Sequence, residues 1–255
     1  MASRVINVVL CHQDAKIVER LLDLWRRFAS ADSILIAHGG ARSNFDAIHC
    51  RNKIFLDDPR LRARDKQRER QSYHGIWQAT SQWLTSSTNN FEFVHITEYD
   101  HVPLVEDLND RQIQLLSNEN ADVLAYHLQR IDQTSHPHYL YHRRDSTFHD
   151  FFRNVSVRRN PEVVLSMFGT GSFWKREAFE TVASVKEPFP IYLEIYLPTL
   201  AHHLGFRLRD YGEQNRFVSN IGERGREIEL ARSAGAWTLH PVKNLPQGLL
   251  SYKKA

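Results

Sequence analysis

A β-branched run at Val5–Leu10 is followed, after one polar turn, by apolar residues at Ile17, Val18, Leu21, Leu22, Trp25 and Phe28. The first spacing suits a strand buried on both faces, and the second suits one face of an amphipathic helix. Asp14 stands where the N-cap of that helix would be. The alternation then continues. Ser33–Ala37 reads as a second strand running into His38-Gly39-Gly40, and Asn52–Leu56 as a third running into Asp57-Asp58-Pro59. A helix over about 65–85 and a strand at Phe91–Thr97 complete this half. Strands alternating with amphipathic helices predict an α/β fold, a Rossmann-like and mostly parallel sheet with flanking helices, whose ligands bind beyond the carboxyl ends of the strands. His12, His38, Asp57, Glu98 and Asp100 all fall at such ends.

The second half is less regular. Ala121–Leu128 reads as a strand, and His136–His142 as an aromatic, histidine-rich loop followed by Phe148, Phe151 and Phe152. Those histidines lack a zinc-type pairing, so the loop is expected to face an acceptor or solvent. With 255 residues, 42% hydrophobic and 25% charged, the chain has the makings of one large folded unit. Its two cysteines, Cys11 and Cys50, form neither a disulfide framework nor a CxxC motif. Val5–Leu10 is too short for a signal peptide core and nothing approaches membrane-spanning length, so a cytoplasmic protein without a membrane span is expected. A net charge of +3 is mild for a nucleic-acid binder and compatible with an anionic small substrate. Basic residues gather at 60–70 and 143–159, where a phosphate-facing wall competes with ordinary solvated surface.

Chemistry concentrates at Glu98-Tyr99-Asp100, which closes the fourth strand ahead of His101-Val102-Pro103. In extended backbone, residues two apart project to one face, so both carboxylates can address one divalent cation or one ligand hydroxyl. Acidic residues before a proline also serve as plain turn formers, and context has to decide.

Four blocks supply that context. Gly75–Ala79 resembles the helix before the acidic motif of GT-A glycosyltransferases, and Glu98–Leu108 resembles the DXD-type motif with its downstream proline and helix. Gly169–Val182 resembles the small-residue strand and helix that floor the acceptor pocket, and Glu194–Leu208 resembles the block bearing the catalytic base of inverting enzymes. The resemblance runs from Val5 to about Lys243 and has a family-2-like character, with some similarity to core-2 and branching transferases. Glu98 stands where the motif ordinarily begins with Asp, and His38-Gly39-Gly40 stands where many relatives carry an Asp for the nucleobase.

The resemblance implies one GT-A-like unit over 1–255, with a nucleotide-binding half at 1–110 and an acceptor-binding half at 111–255. It implies transfer of a hexosyl or N-acetylhexosaminyl group from a nucleotide sugar, most often a UDP-sugar, to a carbohydrate or other hydroxyl acceptor with inversion. Glu194 would be the base. Glu98, Asp100 and His240 would hold Mn2+ or Mg2+, and His12, Asp57, Gln71, Glu98, Asp100 and Lys243 would bind the donor. Some core-2-like relatives neutralise the diphosphate with basic side chains alone, so the metal-free version stays open. Glu194 lies upstream of Pro198, and a helix is expected to start near that proline. The glycine-bearing stretch Gly212–Gly235 reads as a flexible segment ahead of His240. Two other readings stay open: a nucleotidyltransferase, whose glycine-rich loop would follow the first strand, and an inactive protein that binds sugar nucleotides or glycans.

Overall fold

The computed structural model describes residues 4–57, 66–186 and 189–244, with side chains from Gly75 onward in the second stretch. Its first half is β1 (Val5–Cys11), α1 (Ala15–Phe28), β2 (Ile34–His38), α2 (Arg42–Ala47), β3 (Lys53–Phe55), α3 (Lys66–Ser86) and β4 (Phe93–Glu98). The second half begins with β5 (Val102–Pro103), α4 (Leu108–Asn118), β6 (Val123–Ala125), β7 (Gln129–Arg130), α5 (Pro137–Leu140), α6 (Ser146–Val155) and β8 (Leu165–Ser166). It continues through β9 (Ser172–Lys175), α7 (Arg176–Ala183), α8 (Leu193–His203), β10 (Leu208–Asp210), α9 (Ile228–Ser233) and β11 (Thr238–Leu239).

Seven strands form the main sheet in the order β10-β6-β9-β4-β1-β2-β3. The four strands expected from the first half lie side by side and parallel, with β1 between β4 and β2. β1 and β2 are buried almost throughout because helices cover both faces, as their β-branched composition requires. β9 runs antiparallel between β4 and β6, which splits an otherwise parallel sheet. A continuous core joins the two halves of the chain, from Ile6 and Val8 through Trp77, Trp174 and Phe179 to Leu200 and Leu208. No helix among the described residues is long and apolar enough to cross a membrane.

Three local expectations change. Asp14 is the N-cap residue of α1, as expected, but its side chain makes no capping bond; its carboxylate accepts from Asn44 Nδ2 at 2.9 Å and ties α1 to α2. The strand expected over Ala121–Leu128 is confined to Val123–Ala125, because His127 takes a φ of 52° and turns the chain out of the sheet. Pro198 does not begin a helix: α8 starts at Leu193 and carries the proline inside it. Proline has no N–H to donate to the carbonyl four residues back, that of Glu194. Met167 N–H takes its place, donating to Glu194 O at 2.8 Å. The helical defect thus becomes a tie between α8 and the chain segment after β8.

Candidate active site

The turn after β4 sets the acidic pair. His101 N donates to Glu98 O at 3.1 Å, Tyr99 N donates to Leu10 O, and Thr170 Oγ1 accepts from Glu98 N at 2.8 Å. Immediately beyond, β5 pairs antiparallel with β11, Val102 opposite Leu239 and Pro103 opposite Thr238. That register delivers His240 to the acidic turn, and Val242 N donates to Asp100 O at 2.7 Å to hold it there. One ligand atom from each of Glu98, Asp100 and His240 then lies within 4.8 Å of the others.

The electrostatics of this trio suit a cation. Asp100 Oδ1 is buried with no hydrogen-bond partner, although His240 Nε2 stands 3.3 Å away. His240 Nδ1 donates to the Ser219 carbonyl, which orients the ring so that Nε2 faces Asp100. A metal ion bound here would meet the neutral imidazole, whose Nε2 and Asp100 Oδ1 would both be acceptors for it. The Tyr99 hydroxyl registers the same negative field: burial raises its pKa first, and Asp100, Glu98 and Glu223 raise it further. A carboxylate pair with one imidazole suits Mn2+ or Mg2+, which keep part of their shell for water or phosphate oxygens.

Behind the trio, buried polar groups brace the turn. His101 Nε2 lies 2.7 Å from Thr238 Oγ1, which meets the Tyr126 hydroxyl at 2.8 Å, while His101 Nδ1 meets Thr170 Oγ1 at 3.2 Å. Gly171 has a φ of 81°, and a Cβ there would come within 2.4 Å of His101 Cε1. Only glycine lets β9 begin so close to that imidazole.

Glu194 approaches from α8. A Cβ on Gly169 would sit 3.1 Å from Glu194 Oε1, so the absent side chain at 169 gives the carboxylate its place. Glu194, Glu98, Asp100, His240 and Lys243 all line one cavity of about 420 Å³, with His127, Gln129, His136, His138, Phe168 and Asn220 among its other walls. Lys243 also borders a smaller cavity beside Tyr99 and α1. Its backbone N–H donates to Glu223 Oε2, whose other oxygen accepts from Gly225 N–H.

Five of the sequence-predicted residues therefore meet in one space. His12 and Asp57 stand at the carboxyl ends of β1 and β3, outside the walls of that cavity, and both are exposed. The His12 ring lies edge-on to Tyr99 with centroids 5.7 Å apart. The Gln71 side chain lies outside the described residues, as does Asp58. The histidine-rich stretch expected as a loop contains the short helix α5; His136 and His138 face the cavity with ring centroids 5.6 Å apart, whereas His142 packs on Phe148. Among the described residues, no three-ligand set forms there. The stretch Gly212–Gly235, expected to be flexible, contains two 3-10 turns and α9, and it packs through Phe217, Ile228 and Ala231 against Leu24 and Leu239.

Sequence reading missed Thr170, Tyr99 and Ser219. Thr170 sits between two glycines in a block already singled out, which was the available signal. Ser219 contributes only its carbonyl, and no side-chain pattern announces a carbonyl.

No protein-family model and no curated protein matches the sequence. Among solved structures, the chain is similar to the mannosyltransferase PcManGT from Pyrobaculum calidifontis in complex with GDP-Man and Mn2+, at 13% identity and a TM-score of 0.46. That match covers 84% of this chain and 56% of that one, so this chain spans little more than half of that enzyme's length. It is similar to core-mannan synthase A from Aspergillus fumigatus in its Mn/GDP form, at 7% identity and a TM-score of 0.43, over 84% of this chain and 73% of that one. A glycosyltransferase involved in glycosylation of the major capsid of PBCV-1 is similar at 12% identity and a TM-score of 0.45, over 92% of this chain and 94% of that one.

Proposed function

We propose that this chain is a glycosyltransferase that moves a sugar from a nucleoside diphosphate donor to a hydroxyl acceptor with inversion. The observation that carries the reading is the shared cavity: Glu194 and the Glu98, Asp100 and His240 trio line the same space. Transfer needs two things at once, charge compensation for a leaving diphosphate and a base for the incoming hydroxyl.

The trio would hold Mn2+ or Mg2+, which when bound would compensate diphosphate charge. Lys243 adds a cation on the same wall, and the smaller cavity beside Tyr99 and α1 leaves room for the nucleoside. Glu194 would accept the proton of the acceptor hydroxyl as its oxygen attacks the anomeric carbon. One C–O bond forms, the C–O bond to phosphate breaks, and its electron pair leaves with the nucleoside diphosphate. A single displacement inverts the anomeric centre.

Phosphate cradling after β1, which nucleotidyl transfer would use, meets an obstacle. A Cβ on Gly40 would lie 2.4 Å from the His12 carbonyl oxygen, so the β2 loop is packed against the residue that such a cradle would occupy. The deciding assay incubates the protein with Mn2+ and either a panel of nucleotide sugars with acceptors or nucleoside triphosphates with sugar 1-phosphates, and identifies the released product. Free nucleoside diphosphate supports sugar transfer. Pyrophosphate overturns it, and donor binding without turnover across an acceptor panel overturns it in favour of a binding protein.

A further inference from the structure

We propose that the acceptor carries an anionic group, a phosphate, sulfate or carboxylate, which arginines bind in a second cavity beyond the β7–β8 ribbon. The assignment rests on the transferase reading for the word acceptor and on separate residues for the anion site.

The second cavity has a volume of about 410 Å³, and Gln129 lines both it and the first. The chain also passes from one to the other: Ser166 and Met167 line the first cavity and Leu165 lines the second. Hydrogen bonds pin this segment at Leu165 and Met167. Thr199 Oγ1 bonds both the N–H and the carbonyl of Leu165, and Met167 N–H is held by the carbonyl of Glu194. A ligand that presents a hydroxyl to Glu194 therefore has a fixed wall to follow into the second cavity.

Four arginines line that cavity, Arg130, Arg158, Arg207 and Arg209, and no carboxylate does among the described residues. Arg158 comes from the basic stretch at 143–159. It donates through Nε to His202 O and through Nη2 to Gly205 O and Phe206 O, all carbonyls at the end of α8. These bonds orient its guanidinium without neutralising it. Arg130 is matched by Asp132 at 2.7 Å, whereas the other two form looser ion pairs, one of them with a shared acid. Arg209 lies 3.6 Å from Glu119, and Arg207 lies 3.6 Å from an Asp122 that Lys175 already holds at 2.8 Å. The guanidinium charge thus exceeds the local carboxylate charge. Beside them, burial first and then His203, Arg158 and Arg130 lower the His202 pKa to about 4. Guanidinium forks suit the planar or tetrahedral oxygens of a carboxylate, phosphate or sulfate.

The test probes the whole protein on an array of matched neutral, phosphorylated, sulfated and uronate oligosaccharides. Inorganic phosphate and a nucleotide sugar with Mn2+ are titrated separately by calorimetry. Arg158→Gln is one variant; because it loses bonds to the end of α8, the exposed pair R207Q/R209Q is the second. The expected result is preference for anionic over neutral glycans, weakened about ten- to a hundred-fold in the variants, with nucleotide-sugar binding unchanged. Equal binding of neutral and anionic glycans, or a preference that the exposed double variant retains in full, overturns the assignment. Inorganic phosphate binding that the double variant abolishes, without any preference for anionic glycans, also overturns it and marks a free-anion site. Anionic preference without nucleotide-sugar binding overturns the transferase reading and supports the anion site by itself.

Discussion

Asp100 Oδ1 and His240 Nε2 face each other across 3.3 Å with no hydrogen bond between them, and the carboxylate oxygen is buried. The Ser219 carbonyl enforces the confrontation by holding the far nitrogen of the imidazole. With Glu98, these two atoms would supply half of an octahedral cation shell. Asp100→Asn is expected to abolish most transfer and to weaken Mn2+ binding by at least about ten-fold, while the fold is kept. Counting free Mn2+ by paramagnetic resonance against protein concentration checks it. Transfer that persists in a chelator would instead assign the diphosphate to Lys243 and other basic groups.

Glu194→Gln separates a base from a charge that merely favours a helix N-terminus. As a base, its replacement lowers the chemical rate by about two to four powers of ten with donor affinity nearly unchanged. As helix-end electrostatics alone, it costs about 0.3–1 kcal/mol of stability and turnover continues. Single-turnover kinetics beside a thermal melt distinguish the two.

The two glycines of the Gly169-Thr170-Gly171 segment predict opposite signatures. Gly169→Ala places a methyl 3.1 Å from Glu194 Oε1, where the carboxylate can yield, so turnover falls while the melting temperature moves little. Gly171→Ala places a Cβ 2.4 Å from a buried imidazole at a φ of 81°, so stability falls by about 2 kcal/mol or more. Melting curves and steady-state rates on both variants read the contrast directly.

Stability is expected to fall on acidification well before the carboxylates titrate. Burial pushes the His95 imidazole from 6.5 down to about 3, so the folded protein keeps it neutral while the unfolded chain protonates it. The stabilisation is therefore complete above about pH 6.5 and is lost as pH falls toward 3, at up to about 1.4 kcal/mol per pH unit. Urea midpoints between pH 7.5 and pH 4 measure this. His95→Asn, which can still donate to Asn7 Oδ1, is expected to give a flatter profile over the same range.

The first half of the fold was legible because its signals are local. A run such as Val5–Leu10 can satisfy its burial only between covering helices, and four such runs alternating with helices leave little choice but a parallel sheet. Glu98 and Asp100 were legible for the same reason, since their spacing in extended backbone is fixed by geometry. Nothing local marks β9 as antiparallel or ends β6 at Ala125: the first depends on which neighbours it joins, the second on a left-handed turn at His127.

Pro198 shows the limit most clearly. Its ring removes one helical donor wherever it sits, and from sequence that loss reads as a helix start. Whether the orphaned Glu194 carbonyl can be satisfied depends on Met167, far away in the chain, arriving with a free N–H. The same holds for His240, which reaches Asp100 only through the register of β5 with β11. Residue types and local spacing determined the sheet and the acidic turn by themselves. Tertiary structure decided how the trio, Glu194 and the arginine-lined cavity are assembled, because pairing register and hydrogen-bond satisfaction between distant segments are properties of the folded whole.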